Sequence, residues 1–144
     1  MTEIGKGSDA IHRVYDFYGS EDADSGRLSD IIGEAAQLKF TLRVSSDRGR
    51  YYIAEEVSGG EIVVESNEAE DEEGRFVKKP EYATYATLVL AWKRGESELA
   101  ACTFPDALRE RLSTVAGLVF LHRHSSTRPR PSVDHPPPDQ DRVS

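Results

Sequence analysis

The chain has 144 residues and one cysteine, Cys102, so no internal disulfide can form and the fold must rest on packing alone. A lone thiol suits a reducing compartment, and a cytoplasmic location is expected. No apolar run approaches the roughly 18–20 residues that a membrane-spanning helix needs. The first residues, Met1-Thr2-Glu3-Ile4-Gly5-Lys6, are polar and lack the apolar stretch of a secretory signal. Basic residues are scarce: 18 Lys and Arg face 26 Asp and Glu, for a net charge of −8. That balance argues against bulk affinity for nucleic acid or anionic lipid, so nucleic acid and membrane are set aside as partners.

Catalytic and cofactor signatures are missing too. There is no CxxC pair, no HExxH, no GxSxG elbow and no glycine-rich dinucleotide loop. Gly5-Lys6-Gly7-Ser8 only echoes a phosphate loop, because Gly7 stands where Ser or Thr should follow the lysine. Asp22, Asp24, Asp30 and Glu34 suggest a calcium loop. Counted from Asp22, however, the sixth position is Arg27 and the twelfth is Gly33, where glycine and glutamate are required. His122 and His124, read on a helix, point about 200° apart and cannot share an ion; a role at the helix C-terminus is the ordinary one. Cys102 sits among Ala100, Ala101 and Phe104, surroundings that suppress a thiolate. No cofactor, metal ligand or catalytic residue is therefore assigned.

What is present is unevenly spread. Residues 58–73 hold seven acids and no base, and Glu65, Glu68, Glu70, Asp71, Glu72 and Glu73 put six of them into nine positions. Such density predicts an extended, solvated loop over 65–75. The last twenty residues carry five of the seven prolines and, proline apart, only Val133 and Val143 as aliphatic residues. They read as a disordered tail. The expected organisation is a flexible stretch 1–7, one domain over 8–124, and the tail 125–144.

Within that domain, Ile11, Val14, Tyr15 and Tyr18 recur at helical spacing, as do Leu28, Ile31, Ile32, Ala35 and Ala36. From Leu38 the period becomes two, with Leu38, Phe40, Leu42 and Val44 on one face. Strands follow over 51–57 and 61–65, then an apolar central strand over 82–92 and a fifth over 98–104, stopped by Pro105. A last helix carries Leu108, Leu112, Val115 and Val119. The fold class is α+β: a five-stranded, mainly antiparallel sheet within 38–104, with N-terminal helices and a C-terminal helix packed on it.

The aromatic residues Tyr51, Tyr52, Tyr82, Tyr85 and Trp92 fall on expected strands, near Arg43, Arg48, Arg50, Lys78, Lys79, Lys93 and Arg94. Cross-strand packing is their ordinary use. The function expected first is a small, soluble, non-catalytic protein-binding module of the inhibitor, immunity or adaptor type. Its partner is a basic protein surface met by the six acids from Glu65 to Glu73. The second reading is a small-molecule-binding or enzymatic domain with a pocket between sheet and C-terminal helix. A third is a subunit of a homo-oligomer that covers the second sheet face.

Overall fold

A computed structural model describes residues 10–46 and 49–129. The elements are β1 (Ala10–Ser20), α1 (Ser25–Ala36), β2 (Thr41–Ser45), β3 (Gly49–Glu55), β4 (Glu61–Ser66), β5 (Glu68–Asp71), β6 (Gly74–Val77), a 3-10 turn (Pro80–Tyr82), β7 (Thr87–Gly95), α2 (Glu98–Leu112) and β8 (Val119–Pro129). Six strands form one sheet in the order β2-β3-β4-β7-β1-β8, every neighbouring pair antiparallel. β5 and β6 form a separate two-stranded hairpin. The class is α+β, as the sequence suggests, with six strands in the main sheet rather than five and with two helices.

The β2-β3-β4 meander falls where the period-two pattern puts it. α1 is capped by Asp24, whose side chain accepts from Arg27 N at 3.0 Å. Its Gly33 has a packing reason. The chain folds back so tightly after α1 that a Cβ there would stand 2.7 Å from the Leu38 carbonyl oxygen.

Three expectations are corrected. Residues 10–20 are a strand, not a helix. On a strand, Val14 and Tyr18 face one side and Ile11 and Tyr15 the other, and the β-branched and aromatic content of the segment suits a sheet. Its inward alternation, Val14, Asp16 and Tyr18, was masked by the aspartate. Residues 98–104 are the first half of α2, not a strand, with Ser97 as N-cap accepting from Ala100 N at 3.1 Å. Pro105 lies inside α2 and does not stop it. Its cost of about 3 kcal/mol is offset by burial of Ala101, Leu108 and Leu112. Finally, the C-terminal helix ends at Leu112. After a turn with Gly117 at φ 81°, the chain becomes β8 and pairs along the whole of β1. β8 reaches Pro129, so the expected boundary at 124 falls inside a strand. The expected flexible stretch 1–7, the Gly5–Ser8 motif and the remainder of the expected tail lie outside the described residues.

Both helices cover the same face of the sheet. Tyr18, Ile62, Val64, Val89 and Ala91 from the strands pack there against Leu28 and Ile32 of α1 and Leu108 and Leu112 of α2. Because strand neighbours alternate, the other face carries Arg13, Tyr15 and Phe17 of β1 and Leu88, Leu90 and Trp92 of β7. Among the described residues, no helix lies on that face.

Candidate functional site

The open face is not flat. A segment running from β6 to β7, residues 78–86, folds over one end of it. Asn67, buried between β4 and β5, fixes that segment. Its Nδ2 donates to the carbonyls of Tyr82 at 3.0 Å and Tyr85 at 3.2 Å, and its Oδ1 accepts from Lys79 N at 2.9 Å. Its backbone accepts from Lys78 N and donates to Ala86 O. At the far side of the segment, the Tyr82 hydroxyl meets His122 Nδ1 at 2.6 Å, and the Tyr85 ring lies directly on Gly19. A side chain at Gly19 would displace that ring, which is why the position is glycine.

Between this wall and the strands lies a cleft of about 650 Å³. Its floor is apolar and aromatic: Leu88 and Leu90 from β7, Tyr15 and Phe17 from β1. Lys79 and Glu65 stand at one end; Arg13, Ser126 and Arg128 stand at the other. The charged lining is thus three cations and one carboxylate, in a protein of net charge −8. Glu65 also lies 3.4 Å from Lys78 Nζ.

The aromatic side chains form cross-strand stacks. Tyr15 stacks on Trp92 (centroids 5.6 Å apart, 17° between planes) and meets His124 on its other side at 6.1 Å. Phe17 stacks on His122 at 4.8 Å and 10°. Trp92 Nε1 donates to Glu61 at 3.0 Å, closing the row toward β4. Ring faces turned to one another are not available to stack on a base. The histidines are reassigned by this geometry: on β8 rather than on a helix, positions two apart share a face, so His122 and His124 both lie on the open face, and His124 lines the cleft. Of the expected aromatic cluster, only Trp92 belongs to the floor rows. Tyr82 and Tyr85 are on the wall, and Tyr52 packs on the helix side. Sequence reasoning missed Tyr15 and Phe17 by placing them on a helix. The density of β-branched and aromatic residues over 11–18 was the signal available.

The expected acidic site is rearranged. Glu65 is on β4 beside the cleft; Glu68, Glu70 and Asp71 lie on β5; Glu72 and Glu73 are exposed in the turn before β6. The loop is therefore an ordered hairpin, and Glu68 is bridged to Arg75 at 3.1 Å. Asp22 and Asp24 are used locally. Asp22 accepts from Asp24 N at 3.0 Å and from Arg27 at 2.8 Å, bonds that hold its carboxyl below the ordinary range.

On the helix side, the carboxylate of Asp16 is fully buried between Arg123 (2.7 and 3.0 Å) and Arg109 (3.3 Å), and Arg123 also reaches Asp106 at 2.6 Å. Arg109 lies over the Phe120 ring at 3.8 Å. Charges balance here, so the cluster ties β1, α2 and β8 together. Cys102 borders it, 3.7 Å from Arg123, with its thiol pushed up by desolvation against the lowering effect of that arginine. The expected pocket between sheet and C-terminal helix is occupied by the core. A smaller recess of about 310 Å³ lies at the edge of α2, between Leu38, Val57 and Phe104.

Among the described residues no helix is long and apolar enough to cross a membrane, and no three His, Cys, Asp or Glu side chains gather in a metal-binding group. No protein-family model matches the chain, and no curated protein does.

Proposed function

We propose that the protein is a non-catalytic ligand-binding domain whose site is the open face of the sheet, where it takes one elongated amphiphilic small molecule. The observation that carries this reading is the cleft of about 650 Å³, with an apolar floor and charged groups at its two ends. Binding sites for small molecules measure roughly 300–1,000 Å³ and combine apolar surface with converging polar groups; this cleft falls within that range, with polar and apolar lining in similar proportion. The wall is held by side-chain bonds of Asn67 and by the Tyr82–His122 contact, so the cleft is preformed and little ordering is needed on binding.

The reading in which the acidic residues dock a basic protein has less support. Glu65 faces Lys78 and Glu68 faces Arg75, so two of the six carboxylates are balanced within the chain.

The sole tryptophan, Trp92, stands beside the floor and reports on occupancy. An anionic naphthalene dye such as anilinonaphthalene sulfonate, titrated into the folded chain, should bind with one-to-one stoichiometry and change Trp92 emission. Leu90→Glu, which places a carboxylate in the floor, should weaken dye binding about tenfold and leave the far-ultraviolet dichroism unchanged. Equal dye binding by both proteins would remove the cleft as the site.

A further inference from the structure

One end of the cleft has a charge arrangement that packing does not explain. Arg13 on β1 and Arg94 on β7 are direct cross-strand partners. Arg128 on β8 is two residues from Ser126, the β8 partner of Arg13. All three project from the open face. Among the described residues, none of these three guanidinium groups has a carboxylate partner. Like charges directly opposite one another weaken a sheet. In a chain of net charge −8, three arginines with no ion pair among the described residues are a local exception. Arg13 and Arg128 line the cleft together with Tyr15 and Leu90, and Arg94 stands next to Arg13 just outside it, in a recess that it shares with Ile11 and Glu96.

We infer that the Arg13–Arg94–Arg128 end holds the phosphate of a phosphate-monoester amphiphile, with the apolar body lying along Leu90 and Leu88 toward Lys79. This rests on the cleft being the ligand site. A phosphate monoester carries nearly two negative charges and three strong acceptor oxygens. Planar guanidinium forks match such oxygens in pairs. Three forks offer more donors than one carboxylate can accept, which favours the phosphate. The ligand is a free molecule rather than a membrane lipid, because its apolar part lies along a cleft that is bounded at the far end by Lys79 and Glu65.

Calorimetric titration of the full chain with octyl phosphate, octanol and inorganic phosphate tests this. Octyl phosphate should bind about tenfold or more tightly than either of the others, and added salt should narrow the gap. The double variant Arg13→Gln, Arg94→Gln should bind octyl phosphate no better than octanol. Arg128→Gln alone should remove part of the preference, and it serves as the second variant should the double one fold poorly. Equal affinity for octyl phosphate and octanol would overturn the headgroup assignment while leaving the cleft reading intact. Equal affinity for inorganic phosphate would overturn it as well, because the floor would then contribute nothing. Absence of binding by all three probes, together with a failed dye titration, would overturn both readings.

Discussion

Two faces of one strand handle charge in opposite ways. On the helix-covered side of β1, Asp16 is buried and met by Arg123 and Arg109. Three residues away, on the open side, Arg13 stands opposite Arg94, and among the described residues no carboxylate makes an ion pair with either. In the interior, an unpaired charge costs several kcal/mol, so packing there forces a partner. At the surface, water tolerates the unpaired charge, and what remains unpaired is available to a ligand. The balanced cluster is therefore structural and the unbalanced one is the candidate for binding.

The most severe way to break the contrast is Asp16→Ala. It removes the buried acceptor shared by Arg109 and Arg123, although Arg123 keeps Asp106, and should cost about 3 kcal/mol, read as a lower urea midpoint with unchanged slope. Asn67→Ala comes next. Four backbone groups of residues 79–85 lose their partner, at a cost of about 2 kcal/mol. Because the wall of the cleft is then loose, dye binding should weaken even at temperatures where the protein stays folded.

Tyr18 sharpens the comparison from inside. Its hydroxyl is buried beside Arg109 without a hydrogen bond, and burial first, then Asp16, pushes its pKa up to about 12. The folded state keeps the neutral phenol, whereas the unfolded chain ionises near 10. This contribution is intact below about pH 10 and is lost as pH rises through about 12, amounting to roughly 1 kcal/mol by about pH 11. Tyr18→Phe should remove that alkaline loss. It should also raise stability at neutral pH by up to about 1 kcal/mol, since an unsatisfied buried hydroxyl disappears. Thermal melts of both proteins across the alkaline range decide this. The smallest effect belongs to the open face. Arg94→Gln relieves a cross-strand repulsion and should stabilise by about 0.3–0.5 kcal/mol, while weakening octyl phosphate. A stability gain coupled to a binding loss would mark the arginine as kept for function.

How far the sequence could be read depended on how local each pairing is. β2, β3 and β4 follow one another through short turns, so alternation and turn residues suffice to place them. β1 was hidden because Asp16 breaks its apolar alternation, and what makes Asp16 an interior residue is Arg123, 107 positions later. β8 was hidden because its run of His, Arg, Ser and Thr has little β pattern of its own; the free edge of β1 recruits it. The acidic segment was visible as charge. Its fold into a hairpin, with Glu68 on Arg75, was not.

The candidate site was the least legible part. Its floor combines β7 with the misassigned β1, its arginine end comes from three strands, and its wall hangs on one asparagine with partners up to 18 residues away. Composition, periodicity and turn chemistry settle what neighbours along the chain can settle: an α+β class, an acidic surface excess, no internal disulfide, and the β2–β4 meander. Tertiary structure alone decided which charges are buried in pairs, which are left facing a cleft, and where that cleft lies. Antiparallel pairing of β1 with β7 and β8 joins residues 67 to 119 positions apart, and no local pattern encodes a partner at that distance.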